Sequence, residues 1–311
     1  MSTMTLSMDK AGAALSAPAG VGGEGSPRSV AAGRNPAGRD EEHPPVAPLR
    51  LGPRARAALL TVIASLTGLA GLVAIWWAVA HQVDNFPGPI TTWQAAMALF
   101  AEPFYDNGPN DKGIGWNLLY SLQRVGLGFG LAALIGIPAG FAIGRFEFMR
   151  GATDPVISLL RPVSPLAWLP IGLLVFRDAD LAAIWVIFIC SIWPMIINTA
   201  AGVRAVPQDY MNVARVLALS EWKVITKILF PAVLPHILTG VRLAVGTAWL
   251  VIVAAEMLTG GIGIGFWVWD EWNNLSVEHI LIAIIVIGIV GLLLEVSLLW
   301  IARRFSHGQS A

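Results

Sequence analysis

The chain has 311 residues, of which 56% are hydrophobic and only 13% are charged, and its mean hydropathy is +0.67. Ordinary soluble domains carry about 25% charged residues, so this composition excludes an ordinary soluble protein and favours one that crosses the membrane several times. The formal net charge of zero argues against a nucleic-acid partner. Cys190 is the single cysteine, so the chain forms no internal disulfide.

Residues 1–50 are rich in Gly, Ala, Pro and Ser and have no periodic apolar face. Such a composition buries too little apolar surface to fold, so we predict a disordered tail. The tail lacks the apolar core of a secretory signal, and we therefore expect no cleaved signal peptide.

Six predicted spans follow, most of them near the ~20 residues that cross hydrocarbon, and the second begins as an amphipathic helix before it becomes apolar. They are residues 57–80, 116–144, 155–176, 181–203, 236–258 and 280–301. The third contains Pro162, Pro165 and Pro170, so we expect it to be kinked or partly unwound beside neighbouring protein or a wet cavity. The sequence therefore predicts an all-α polytopic membrane protein with six transmembrane helices, in which 57–80 is the first helix and 81–112 a long outer loop.

Lys and Arg between the spans lie mostly on one side of the predicted membrane. That side holds Arg50, Arg54, Arg56, Arg145, Arg150, Arg204, Arg215, Lys223, Lys227, Arg303 and Arg304. Because cytoplasmic loops carry the excess of Lys and Arg, we predict that both termini and the segment Pro207–Pro235 are cytoplasmic.

Segment 207–235 is the longest interior stretch too polar to lie in lipid. Its pattern predicts two short helices with a joint between them. We expect Asp209 to cap the first helix, Ser220 to cap the second, and Pro231 to end it.

The sequence NVARVLALSEWKVITKILFPAVLP in this segment resembles the cytoplasmic "EAA" loop of ATP-binding-cassette importer permeases. Asn212, Val213 and Ala214 stand at the Glu-Ala-Ala positions, and Ala218 stands at the following Gly. Asn212 removes an anchoring carboxylate. Ala218 disfavours a left-handed joint by about 1 kcal/mol, so we predict a tighter helical turn there.

A wider resemblance covers about residues 110–305, through SLQRVGLGFGLAALIGIPAGFAIG, LRPVSPLAWLPIGLLVF and GVRLAVGTAWLVIVAAEML. These runs are similar to the importer branch for nitrate, sulfonates and taurine. LTGGIGIGFWVWDEWNNLSVEHI looks most like the nitrate permeases and their bicarbonate-importing relatives. The resemblance implies a MetI-like, type I transmembrane core over 113–305 in the cell inner membrane, which imports a small oxyanion, nitrate first, by alternating access.

The resemblance also implies partners. They are ATP-binding-cassette ATPase subunits, a periplasmic or lipid-anchored substrate-binding protein, a second permease copy in a homodimer, and membrane lipid. The chain has no phosphate loop of the GxxxxGK[ST] type, so we expect ATP and Mg to bind the partner ATPase and this chain to hold no cofactor. The implied coupling residues are Asn212, Ala214, Arg215, Ala218, Leu219, Ser220, Glu221 and Trp222, with Arg215 and Glu221 exposed at the joint.

Arg242 and Glu295 lie at comparable depth in the fifth and sixth spans. A charge inside the bilayer costs several kcal/mol unless it is paired or wet, so we predict that the two side chains pair. The alternative is that Arg242 faces a cavity as a binding point for a passing anion. Arg161, in the kinked third span, is the other basic residue of the last four spans. Asn198 and Thr247 are candidate pathway residues.

The outer loop 259–279 combines four glycines with four large aromatic residues, which suggests a tightly turned or re-entrant segment. We predict that Trp269, Asp270 and Glu271 face the binding protein, although tryptophans near span ends also act as interfacial anchors. No His, Cys and acid cluster has metal-ligand spacing and no nucleophile sits beside a base, so we expect neither a metal site nor catalysis.

Other functions stay open. The importer could carry bicarbonate, cyanate, or a sulfonate such as taurine. A secondary transporter driven by an ion gradient would use Glu256 and Glu295 as coupling sites. A membrane enzyme or scaffold would need catalytic acids or metal ligands at one face.

Overall fold

The computed structural model describes residues 52–109 and 111–306. The predicted tail of residues 1–50 lies outside the described residues. The chain divides into two units, residues 1–59 and 60–311, and only the beginning of the first helix is described in the first unit.

Helices form most of the described chain. In order they are α1 (Pro53–Gln82), α2 (Pro89–Leu99), α3 (Ile114–Arg145), α4 (Glu147–Leu160), a 3₁₀ helix (Pro165–Trp168), α5 (Leu169–Phe176), α6 (Ala179–Ala205), α7 (Gln208–Val216), α8 (Glu221–Val224), a π turn (Ile225–Leu229), α9 (Phe230–Thr259), α10 (Ile264–Asn273) and α11 (Val277–Ser306). A short antiparallel hairpin pairs β1 (Asp106–Gly108) with β2 (Asp111–Lys112). The predicted outer loop 81–112 thus contains α2 and this hairpin.

Five of these helical segments are long and apolar enough to cross a membrane: Arg56–Gln82, Ile114–Arg145, Ala179–Ala205, Glu221–Thr259 and Val277–Ile301. If α4 and the helical segment Pro165–Phe176 are taken together as one broken span, they form a sixth. The predicted all-α polytopic class is confirmed.

The predicted third span, 155–176, is broken between Leu160 and Pro165, in agreement with the expected kink or unwinding, but it starts at a different residue. Helix α4 begins earlier, at Glu147, and the chain turns by 98° before the segment Pro165–Phe176. Pro162 and Pro165 supply no backbone N–H groups for a continuous ladder, and their rings clash with the preceding turn. Pro155, by contrast, is accommodated inside α4.

A ridge of small residues on α3 lets it approach α6 closely. Gly128, Ala132, Gly136, Gly140 and Gly144 recur every fourth residue and face α6. A Cβ added at Gly140 would lie 2.6 Å from the Cβ of Thr199. Because lipid is as apolar as the side chains, such close packing is what holds membrane helices together.

Helix α6 also packs against α9, so it is central to the core. Met195 and Ile196 of α6 are buried with Ala132 of α3 and Ala244 of α9. Gly240 of α9 allows that helix to lie against the carbonyl of Pro194, since a Cβ there would stand 2.9 Å from this oxygen. Helices α3, α6 and α9 therefore form the centre of the core, to which α10 and α11 add buried residues such as Trp267 and Ile282.

The joint between α7 and α8 is left-handed, so the prediction of a tighter helical turn was wrong. Ala218 has φ +48°. The N–H of Leu219 donates to the carbonyl of Ala214 and the N–H of Ala218 to that of Arg215, each at 3.0 Å. This is the Schellman pattern, in which two otherwise unpaired helix-end carbonyls are satisfied, and it offsets the cost of a left-handed alanine.

The predicted caps of the two short helices are not formed. Pro207, not Asp209, precedes α7, and Ser220 occupies the cap position of α8 with no side-chain hydrogen bond. Pro231 does not end the second helix. It lies in the first turn of α9, where a missing N–H is tolerated, and a π turn joins α8 to α9.

Candidate functional site

An apolar patch covers the outside of the α7–α8 segment. Val213, Val216, Leu217, Tyr210 and Trp222 are all more than half exposed, and Val216 reaches 85%. The segment lies at the predicted cytoplasmic side. Exposed apolar clusters of this kind are typical of protein contact sites.

Two of the predicted coupling residues are engaged within the chain itself. Ala214 is only 3% exposed and packs with Val224, Leu229 and Val233, so it is a packing residue and not a contact residue as predicted. Glu221 accepts a hydrogen bond from Nη2 of Arg145 at 2.9 Å. The α7–α8 segment is therefore tied to the end of α3.

The other predicted coupling residues are accessible to different degrees. Asn212, Arg215, Ala218 and Ser220 are exposed, and Nη1 of Arg215 donates to Oδ1 of Asn212 at 3.3 Å. Leu219 is half-buried beside Ala214 and its neighbours.

A cavity of about 470 Å³ opens between α7 and the ends of α3 and α6. Four arginines and one carboxylate line it: Arg145, Arg150, Arg204, Arg215 and Glu221. The α7–α8 segment thus borders a positively charged recess on the predicted cytoplasmic side.

Arg242 and Glu295 are brought together by α9 and α11. Nε of Arg242 donates to Oε1 of Glu295 at 3.1 Å, and Nη2 contacts the same oxygen. Both side chains are about half exposed, at 48% and 47%, and they line one groove. The predicted contact is present, and it leaves Arg242 with its charge neutralised.

Asn198 and Thr247 lie together on a different cavity, of about 390 Å³, between α6, α9 and the break after α4. Nδ2 of Asn198 donates to the carbonyl of Pro194 at 2.8 Å, and Oγ1 of Thr247 donates within its own helix. Arg161 lines the same cavity. The structure thus unites Asn198 with Arg161, whereas Thr247 lines both this cavity and the groove of the Arg242–Glu295 pair.

A buried ionic cluster that sequence reasoning missed lies at the predicted outer side. Glu256, only 1% exposed, accepts from Nη1 of Arg124 at 2.6 Å. The same nitrogen donates to the carbonyl of Ile262 at 2.6 Å, and the other guanidinium nitrogens donate to Asp180. One arginine therefore links α3, α6, α9 and the glycine-rich turn.

The turn itself is held by polar side chains of α3. The backbone N–H of Gly263 donates to Oδ1 of Asn117 at 2.9 Å, and that of Ile264 donates to Oγ of Ser121 at 2.9 Å. The N–H of Gly265 donates to Glu256 at 3.0 Å. Asn117, Ser121 and Arg124 recur at helical spacing in the sequence, a polar stripe that would have indicated this site.

The predicted binding-protein-facing residues lie on α10. Trp269 is 44% exposed, whereas the Glu271 side chain is 13% exposed and bonds Nδ1 of His279 at 2.9 Å. Glu271 is therefore largely enclosed, while Trp269 is open and Asp270 is partly so.

An acidic surface surrounds the β-hairpin next to α10. The pKa of Tyr105 is raised by burial and by the nearby charges of Asp111, Glu271 and Asp270. The pKa of Asp106 is lowered by its hydrogen bond with Lys112. Negative charge thus gathers on this face.

A family profile described as the binding-protein-dependent transport system inner membrane component matches residues 132–309, more than half of the chain. The chain belongs to this family. It is a multi-pass inner-membrane permease subunit, and the resemblance stated from the sequence is confirmed.

Curated members of the family resemble the chain over most of their length. The nitrate import permease protein NrtB of Synechocystis sp. is 48% identical over 235 residues, covering 75% of this chain and 86% of that protein. The bicarbonate transport system permease protein CmpB of Synechococcus elongatus is 44% identical over 246 residues, covering 78% and 88%. The chain is an importer permease of the branch that includes these proteins.

The fold is shared with a solved permease. A chain of the MetNI methionine ABC transporter, in an inward-facing conformation, aligns with a TM-score of 0.54 and 14% identity over 62% of this chain and 97% of that one. The expected MetI-like fold is confirmed.

Proposed function

We propose that this chain is the membrane subunit of an ATP-driven importer and carries a small oxyanion, most specifically nitrate, into the cell. The substrate class is assigned from the 48% identity to a nitrate import permease over three quarters of the chain. Family membership and the exposed α7–α8 segment support the importer mechanism.

In this proposal the exposed apolar patch of α7–α8 docks on a separate ATPase subunit that binds ATP and Mg. The patch lies on the side that carries most Lys and Arg, so the segment and both termini are cytoplasmic. The joint at Ala218 holds α7 and α8 in one geometry, and the bond from Arg145 to Glu221 relays their movement to α3.

A substrate-binding protein delivers the anion on the other side. The open indole of Trp269 and the acidic face around Asp270, Asp111 and Tyr105 are its docking surface. Negative charge there suits a basic patch on the partner. A second copy of the permease completes a shared pathway.

The docking assignment is tested by Val216→Glu. Val216 is 85% exposed, so the added charge leaves this chain folded, but it places an unpaired carboxylate in an apolar interface. We expect the ATPase to lose copurification with the permease, whereas Val216→Ala keeps it. Full copurification of Val216→Glu would show that the ATPase docks elsewhere.

The energy source is tested in proteoliposomes that contain permease, ATPase and binding protein. Nitrate uptake should require ATP and should continue when an uncoupler collapses the ion gradient. Uptake that stops with the uncoupler at constant ATP would favour a secondary transporter. The pairing of Glu256 with Arg124 and of Glu295 with Arg242 argues against their use as ion-coupling carboxylates.

Bicarbonate is the second candidate substrate, since a bicarbonate permease is 44% identical. Uptake of labelled nitrate and labelled bicarbonate by the same proteoliposomes separates the two. Nitrate transport that bicarbonate does not inhibit supports the first assignment, and the reverse result overturns it.

A further inference from the structure

The cavity shared by Arg161, Asn198 and Thr247 lies between the predicted membrane spans, away from their ends. Asn198 precedes the end of α6 at Ala205 by seven residues, or about 10 Å along the helix. Thr247 precedes the end of α9 at Thr259 by twelve residues, or about 18 Å. Both positions therefore fall inside a hydrocarbon layer of about 30 Å.

Arg161 brings an uncompensated positive charge to this cavity. Among the described residues, its side chain makes no hydrogen bond or ion pair, and no Asp or Glu lines the cavity. Arg242 is different, because Glu295 neutralises it. An arginine at this depth without a carboxylate partner is costly unless water or an anion accompanies it.

The backbone at Arg161 points to a wet site as well. Arg161 follows the last residue of α4, at the start of the 98° break that leads to the 3₁₀ helix. Non-helical backbone at membrane depth is tolerated only where protein or a water-filled cavity surrounds it. The volume of about 390 Å³ holds a small oxyanion with roughly a dozen waters at about 30 Å³ each.

We propose that Arg161 is the anion-binding residue of the translocation pathway, where its guanidinium replaces part of the hydration of the passing oxyanion. Asn198 adds a polar contact through the second N–H of its amide, whereas the Thr247 hydroxyl already donates within its own helix. The absence of a carboxylate in the described lining favours anions over cations, and the waters keep binding weak enough for release. This inference rests on the proposed function, because it assigns a role in the transport of that same anion.

The test compares Arg161→Gln and Arg161→Lys in proteoliposomes with ATPase and saturating binding protein. We expect Arg161→Gln to lower nitrate uptake about tenfold or more while ATP hydrolysis stimulated by the binding protein stays within about twofold. Arg161→Lys keeps the charge and should retain uptake within about threefold. Arg177→Gln is the matched control at the other end of the same broken span, because Arg177 does not line this cavity.

Uptake by Arg161→Gln within about twofold of the unaltered protein overturns the proposal. So does an equal loss in Arg161→Gln and Arg161→Lys, since charge would then not be the property that matters. If Arg161→Gln fails to assemble with the ATPase, the test rests on Arg161→Lys. A loss of uptake greater than about threefold in that variant then overturns the proposal. Failure of the proposed function looks different: uptake by the unaltered protein would then not require ATP.

Discussion

Arg124 and Arg242 are both paired with a glutamate between membrane helices, but the two pairs differ in burial. The side chains of Arg124 and Glu256 are 9% and 1% exposed, whereas those of Arg242 and Glu295 are 48% and 47% exposed. Removing one partner of a buried pair leaves a charge with neither water nor counter-charge. Half-exposed partners keep part of their hydration.

We therefore expect Arg124→Met to lower the free energy of unfolding by about 3–5 kcal/mol and Arg242→Met by about 1 kcal/mol. Denaturant unfolding of the detergent-solubilised protein measures both. The double variant Arg124→Met with Glu256→Met should recover much of the first loss, because no buried charge is then left alone and Asp180, which also loses Arg124, is 63% exposed to solvent. Equal losses in the two single variants would contradict the difference in burial.

Ala218 is the residue at which the chain departs from the glycine of the family pattern and yet keeps the left-handed backbone, with φ +48°. Ala218→Gly should stabilise the protein by about 1 kcal/mol, because glycine has no Cβ to clash in this conformation. Ala201→Gly, inside α6, is the control and should destabilise by a similar amount. Thermal unfolding of both variants measures the effect, and a loss of stability in Ala218→Gly would contradict it.

At the scale of elements, the contact between α3 and α6 depends on the glycines of α3. Gly140 faces Thr199 and the carbonyl of Ile196, whereas a Cβ at Gly130 would meet nothing within 4 Å. The two positions lie on one helix but on different faces. The two positions therefore carry the same residue type on the same helix, and they differ only in whether α6 lies against them.

Gly140→Val should push α3 away from α6 and cost about 1–3 kcal/mol, the usual range for overpacking. Gly130→Val should change stability by less than about 0.5 kcal/mol, as expected for a surface position. The unfolding midpoints of the two variants in one detergent provide the comparison. A large loss at Gly130 would indicate that a partner chain covers that face.

At the scale of the whole molecule, the bond between Arg145 and Glu221 joins the predicted coupling segment to the first core helix. Arg145→Gln leaves the exposed apolar patch intact, so the ATPase should still copurify. We expect fewer nitrate ions to be imported per ATP hydrolysed, because movement of α7–α8 would no longer be transmitted to α3. This prediction rests on the proposed function.

Arg150→Gln is the control for that measurement, since Arg150 pairs with Glu147 of its own helix. The ratio of uptake to hydrolysis should fall in Arg145→Gln and stay constant in Arg150→Gln. An unchanged ratio in both would show that the coupling segment moves α3 by packing alone.

The class of protein, the approximate spans and the family could all be predicted from the sequence alone. Each of these depends on properties that are local in the chain: the length of apolar runs, the positions of prolines, and a recognisable run of residues such as 212–235. Hydrophobicity and helix length are properties of a single segment, and they determine whether that segment can span the bilayer.

Only the tertiary structure decided which polar groups meet. Arg124 and Glu256 are 132 residues apart in the chain, and Asn198 and Thr247 share a cavity with Arg161 because three separate elements converge there. The left-handed Ala218 follows from two backbone hydrogen bonds and not from its own preference. Such contacts depend on the rotation and spacing of neighbouring helices, which the close approach of α3, α6 and α9 sets and which no single segment encodes.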